Sequence, residues 1–417
     1  MRGYSHRHAS DLLDHAKGSP VVASSSFRLL GRSTQGGRQD GVQVMVQDSY
    51  VYLGHLSSGG FSVIDAGNPK DPRAVGFIAA PPGARTIHLQ THGDLLLAAD
   101  VVLPGDVTNP QYYRGPREEP SGNYERRTDL GLRVYDISTR AYPREIGFLP
   151  MDGLGAFRIS YTGGRYAYVS SSYQGYSDFI FSIVDLQDPT NPAPVGRWHL
   201  DGMHIANGES PTWAKASRVG HHHSIVAGSI AYGSWRDGGL VLLDISEPST
   251  PILLSHTNWS PPFGGATHTA LPLADRELAI VLDEATDDNY ADGPKHIWVV
   301  DVRDPANPVT ISTFPTPQEA DYRYRGGRHG PHNLHENRPG SFQSSEIVFA
   351  SYFNAGVRAF DVRDPFRPSE VGYYVPDVPP DFAVPAPQSC DLFVSEDGLT
   401  YVTDFNAGLH ILEYTGA

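Results

Sequence analysis

Histidine is the residue type this sequence supplies most generously for chemistry, with 18 in 417 residues against a single cysteine. Neutral imidazole binds iron, zinc, copper, nickel or manganese, provided each ring finds an acceptor for its other N–H. His88, His223, His268 and His332 stand at matching distances upstream of a small turn, each early in a short strand-like run. Gln43, Arg158 and either Cys390 or Asp391 hold the matching place in three further runs. His221 or His222 is an alternative to His223, and Asn333 or His335 to His332. Around one shared axis, four such imidazoles predict a divalent transition metal, iron first and zinc, manganese or copper as alternatives. Glu284, Asp283 and Asp391 have the chemistry to orient the rings or to act as general acid and base. Arg158 suits pairing with an anionic substrate or bridging of carbonyls. The expected catalytic set is Arg158, Glu284 and Asp391, beside the metal set His88, His223, His268 and His332. A lone axial histidine more often bonds to water or to a neighbouring strand; the fourfold match is what carries the metal reading. In the run His221 to His223, strand alternation turns the middle ring away from the outer two. His6, His8 and His15 read as solvated, and Trp235, Tyr161 and Phe353 as core residues or pocket walls.

The elements that position these residues follow from a repeat. A strand of four or five apolar residues ends in an acid, and a Pro-rich turn and a short Val-Gly strand come next. The pattern reads FSVID-AGNPKDPRAVGFI from Phe61, LRVYD-ISTRAYPREIGFL from Leu132 and VRAFD-VRDPFRPSEVGYY from Val357. The acids Asp65, Asp136, Asp185, Asp244, Asp301, Asp361 and Glu413 recur about every 50 to 70 residues, the period of a propeller blade. Two further strands precede each copy, giving an all-β, seven-bladed β-propeller of four-stranded blades. The last copy lacks its outer strand, while SFRLLGRS at Ser26 to Ser33 is an outer strand with no blade before it. The N-terminal strand therefore closes the ring, which removes the open edges. The expected organisation is an extension over 1–25 and one propeller over 26–417. Asp accepts backbone N–H groups in the turn and Pro fixes φ there, so both have a structural role.

The (L/I)xVxD-(V/I)xDPxxPxxVG unit resembles the LVIVD-repeat β-propeller family of bacterial proteins over nearly the whole chain. The segments RGGRHGPHNLHENRPGSF at Arg325 and ATHTALPL at Ala266 are similar to one branch of it. The resemblance implies the fold; function has to be argued from the site.

Composition bounds the rest. Gly (43) and Pro (34) are abundant and no long run has helical periodicity, as many short strands require. A formal charge of −15 opposes nucleic-acid and anionic-membrane partners. One cysteine excludes an intrachain disulfide framework and a Cys-rich metal site. No run has the length of a membrane span and the first twenty residues lack a signal-peptide core, so a cytoplasmic protein is expected. Long insertions at 103–128, 201–220, 283–295, 315–330 and 376–388 predict loops capping an axial pocket. The leading expectation is a metal-dependent enzyme acting on a small organic substrate by oxygenase or by lyase or isomerase chemistry. Four ligating histidines are an architecture shared with the carotenoid-cleavage oxygenases; three with a water or Gln43 are closer to propeller lyases. The alternative is a non-catalytic interaction scaffold, with or without a structural metal.

Overall fold

The computed structural model describes residues 22–24, 26–103, 127–377 and 386–416. His6, His8, His15, most of the 103–128 insertion and the middle of 376–388 lie outside the described residues. Within them the repeat becomes seven antiparallel groups of strands around an axis. In the first, Gly41–Gln47, Tyr50–His55, Gly60–Asp65 and Arg73–Ala79 pair in chain order. The other inner strands are Arg85–His92, Gly155–Ser160, Val219–Ala227, Thr267–Leu273, an irregular run over 332–335, and Ser389–Val394. Ser389–Val394 packs against Gly41–Gln47, so the last blade meets the first. Phe27–Ser33 pairs with Gly408–Tyr414, from Phe27 opposite Tyr414 to Ser33 opposite Leu409, and closes the seventh blade as expected. Val22 and Ala23 pair with Val375 and Tyr374, so the chain joins the propeller slightly before residue 26, at the edge of blade six.

The repeat residues have visible work. Oδ1 of Asp65, Asp136, Asp185, Asp244, Asp301 and Asp361 accepts the backbone N–H two residues on, at 2.8–3.1 Å. This is an Asx turn, which starts the tight return to the outer strand. The Pro and Gly of the motif then meet between blades. A Cβ added to Gly31, Gly147 or Gly196 would lie 2.0–2.2 Å from the carbonyl oxygen of Pro69, Pro189 or Pro248 in the next blade. Only glycine permits that approach. Where serine replaces the glycine the contact becomes a bond: Ser255 Oγ donates to Pro305 O at 2.7 Å and Ser312 Oγ to Pro365 O at 2.5 Å.

Six inner strands share one irregularity. Their register slips between Gly41 and Gln43, Thr86 and His88, Ala156 and Ile159, Val219 and His223, Thr267 and Thr269, and Ser389 and Asp391. Each slip is a β-bulge, which re-aims side chains and bends the strand. In blade six the ladder is replaced by single bonds, with Ser351 giving its N–H to Asn333 O and accepting at its carbonyl from His332 N–H. Pro331 supplies no N–H there, and polar side chains take over the pairing.

Candidate metal centre

The bulges decide which side chains reach the axis. His222, His268 and His332 come from blades four, five and six and form a row. The ring centroids of His222 and His268 are 4.0 Å apart, and those of His268 and His332 4.5 Å. All three are buried. Their protons are fixed by their neighbours. His222 Nδ1 donates to His268 O at 2.9 Å and His332 Nδ1 to Cys390 O at 2.5 Å. His268 Nδ1 meets the Thr269 hydroxyl at 2.8 Å, while Arg158 Nη2 donates to its Nε2 at 3.0 Å. A carbonyl only accepts and a guanidinium only donates. Each ring therefore carries its proton on Nδ1 and a lone pair on Nε2. Burial keeps all three far below the usual histidine range, His332 at about 3 despite the opposing charge of Glu284. Nε2 of His222 is buried with no hydrogen-bond partner among the described residues.

Glu284, fully buried, completes the group. Its carboxylate oxygens lie 3.9 Å from His268 Nε2 and 3.6 Å from His332 Nε2. One ligand atom each from His222, His268 and Glu284 falls within 4.8 Å of the other two. Burial alone would raise the Glu284 pKa. The charges of Arg236 and Arg328 outweigh it and hold the carboxylate at about 2. Arg236 bonds to it directly and Arg328 at 3.3 Å.

The neighbouring level is stitched to the backbone of adjacent blades. Asp391 Oδ2 accepts Val44 N–H at 3.1 Å, Gln43 Oε1 accepts Leu89 N–H at 2.8 Å, and His88 Nδ1 accepts Ile159 N–H at 3.3 Å. His223 Nε2 donates to Ile159 O at 3.2 Å and lies 3.6 Å from Glu336 Oε1. Because His88 accepts at Nδ1, its proton sits on Nε2 and neither nitrogen keeps a lone pair for a metal. His88, His223 and Glu336 are close enough in space to be ligands; the protonation of His88 disfavours that ring, while His223 keeps a buried Nδ1 lone pair with no hydrogen-bond partner among the described residues. Buried Arg338 ties this level together, donating to the Gln90 side chain, Thr91 O and Tyr161 O. The open space here is about 20 Å³, enough for one water.

The four expected ligands thus divide between two levels. His268 and His332 stand with His222 and Glu284; His88 and His223 stand with Glu336. The alternation expected for the histidine run gives way to the bulge, in which residues 220–222 face Trp235. His222 and His223 both reach the axis, and His221 turns outward against Phe181 and Trp235. Arg158 lies on the axis between the levels and points at His268 and Asn333. Asp391 is on the His88 level, its carboxyl pushed up to about 7 by burial. Asp283 faces away, accepting from Thr267 and Trp298. Cys390 contributes its carbonyl, which accepts from His332, Asn333 and Ser351. Trp235 and Tyr161 pack in the core, and Phe353 stacks on His332 with centroids 4.6 Å apart. Glu336, Arg236 and Arg328 escaped the sequence reading; the polar density of HGPHNLHE was the available signal for Glu336.

The long loops gather at the end of the blades where the bulges lie. A cavity of about 340 Å³ there is lined by Tyr290, His329 and Tyr352 among others, and one of about 290 Å³ by Arg218, Arg236 and Lys295. Neither is lined by the three histidines. Among the described residues no helix is long and apolar enough to cross a membrane.

Architecture and comparisons agree on the class, a β-propeller. The β-propeller domain of Cps50 (Swd1) from Myceliophteria thermophila is similar with a TM-score of 0.53 at 12% identity, over 90% of this chain and 97% of that one. The N-terminal domain of Nup159 gives 0.51 at 11% identity, over 94% and 97%. A functionally unknown protein from Desulfotomaculum acetoxidans gives 0.50 at 12% identity, over 89% and 88%. Residues 224–258 match the LVIVD repeat, and the chain is a β-propeller that carries this repeat. No curated protein matches it.

Proposed function

We propose that this propeller is a scaffold whose axis is cross-linked by a divalent transition metal on His222, His268, His332 and Glu284. The observation that carries the reading is the common orientation of three neutral imidazoles, each anchored at Nδ1 with its Nε2 lone pair uncommitted to the backbone. Metal-bound histidines are held in this way. A buried acceptor left unsatisfied costs about 1–3 kcal/mol, so the orphaned Nε2 of His222 is a cost that an ion removes. Arg158 gives up its bond to His268 when the ion enters. Iron, zinc, manganese and copper all suit this donor set. Four protein ligands around tetrahedral zinc leave no open position, the mark of a structural site. Full burial of the three rings and of Glu284 favours the same use.

A second reading, a metal-dependent enzyme acting on a small organic molecule, draws on charge. Arg236 and Arg328 flank one carboxylate, Glu284, and Arg158 adds a third positive charge beside His268 and His332. A dication added to that set is balanced best by an anionic co-ligand, on which it would act as a Lewis acid. The cavity of about 290 Å³ bordered by Arg236 offers space of substrate size.

Metal analysis of the purified wild type against His268→Ala tests the common core of both. One equivalent in the wild type and its loss in the variant are expected; equal content in the two refutes the site. If metal is present, chelation separates the uses. A scaffold loses thermal stability, whereas an enzyme keeps its fold and loses turnover.

A further inference from the structure

A second group of metal-ligating side chains lies away from the axis, on the loop that leaves blade three. His199 follows the outer strand Ala193–Trp198, His204 precedes the 3-10 turn Ile205–Asn207, and Glu209 comes just after it. One ligand atom from each lies within 4.8 Å of the other two, and all three residues are half-buried. In tetrahedral zinc the bonds are about 2.0–2.1 Å, so ligand atoms sit about 3.3 Å apart. His199 Nδ1 lies 3.9 Å from Glu209 Oε2, so the side chains turn to bring Nε2 and Oε1 onto an ion.

The loop is already built around these side chains. Glu209 Oε2 accepts the N–H of Gly202 at 2.9 Å and of His204 at 3.0 Å, which aims the carboxylate and leaves Oε1 for a ligand. His199 Nδ1 contacts Leu200 O at 3.1 Å; a carbonyl accepts, so the proton is on Nδ1 and the lone pair on Nε2. The His204 ring stacks on Tyr176 with centroids 4.2 Å apart and planes within 9°, and its backbone bridges to Tyr176. Tyr176 also contacts the edge of His199 at 5.1 Å. Two imidazoles and a carboxylate are thus held in one concave loop, with side-chain exposures of 23% for His199 and 28% for Glu209.

We infer that His199, His204 and Glu209 form a second, exchangeable site for zinc or a similar borderline divalent cation. Two histidines and one carboxylate leave a fourth position to water, and partial exposure allows the ion to come and go. A bound ion fastens the loop to Tyr176 and to the end of blade three. The same loop runs on to Ala216 and Arg218, which line the cavity of about 290 Å³, so occupancy stiffens one wall of that cavity.

The test is zinc titration by calorimetry on the full chain, comparing wild type with His199→Ala/His204→Ala and with Glu209→Gln. The readout is the difference between proteins, which does not depend on whether the axis holds metal. The double variant is expected to bind one equivalent fewer than the wild type, and Glu209→Gln to bind that equivalent at least tenfold more weakly. Because the three side chains are partly exposed, both variants are expected to keep the wild-type circular dichroism. Identical stoichiometry and affinity in all three overturn the inference. So does loss of this equivalent in His268→Ala with retention in the double variant.

Discussion

A neutral imidazole has one proton and one lone pair, and the partner of its N–H decides where the lone pair points. That rule separates five buried histidines that composition alone treats alike. His222, His268 and His332 anchor Nδ1–H and present Nε2; His88 takes an amide proton at Nδ1 and presents a proton instead. His335 is spent twice, accepting from Val394 N–H and donating to Phe342 O. His88→Ala is therefore expected to leave metal content unchanged, while His222→Ala, His332→Ala and Glu284→Ala each lower it. Elemental analysis of the four variants checks this, and equal loss in His88→Ala would contradict the protonation assignment. Arg158 places a positive charge on the lone pair of His268. A cation bound at that lone pair would be repelled by the guanidinium, by several kcal/mol at about 4 Å and an effective dielectric constant of 20. Arg158→Ala is expected to bind the metal about tenfold tighter or more, read by competition with a chelating dye; weaker binding would show that Arg158 supports the ion.

At the scale of the element, the repeated strand–turn–strand unit explains both its own sequence and the limits of reading it. The glycine of each Val-Gly strand was legible as a motif, but its reason, a proline carbonyl in the next blade, is visible only in three dimensions. Gly196→Ala places a Cβ 2.0 Å from Pro248 O and is expected to destabilise by about 1–3 kcal/mol, the usual cost of overpacking, measured by denaturant unfolding. The turn aspartates set acid sensitivity. Asp136 is held at about 2 against a usual 3.8, chiefly by the Ser138 amide; Asp185, Asp301 and Asp361 are lowered chiefly by arginine and Asp244 by the Ser246 amide. Folded values below unfolded ones mean that this stabilisation is complete above about pH 4 and disappears as pH falls toward 2. Melting temperature should fall through that window, and Asp136→Asn/Asp244→Asn, which keeps the turn acceptors, should flatten the fall. The same element hid part of the site. An alignment by distance to the following turn assumes regular alternation, and a bulge moves the axial position by one residue. That is why His223 was singled out and its neighbour His222 stands in the row, and why Glu336, on the irregular run of blade six, carried no periodic signal.

At the scale of the molecule, the ring was readable because closure leaves a trace at both chain ends: a last copy without its outer strand and an outer strand without its blade. Phe27–Ser33 fills that place, with Phe27 buried against Phe349 and Tyr414. Removing residues 1–33 exposes the edge of blade seven and the Phe27 pocket. A buried Phe is worth about 3–5 kcal/mol on its own. At about 1 °C per kcal/mol for a chain of 417 residues, the melting temperature should drop by about 3–5 °C. An unchanged melting curve would mean that the ring does not depend on its N-terminal strand. The closed ring also brings side chains of blades four, five and six, from His222 to His332, to one buried point. Anomalous diffraction from crystals of the full chain, collected above and below the absorption edge of the metal found by fluorescence, tests most directly for an ion at that point. A peak is expected about 2.0–2.2 Å from Nε2 of His222, His268 and His332 and from a Glu284 oxygen, with Arg158 withdrawn from His268. Density for Arg158 still bonded to His268 Nε2, with no anomalous peak among the three rings, would contradict the proposed metal centre.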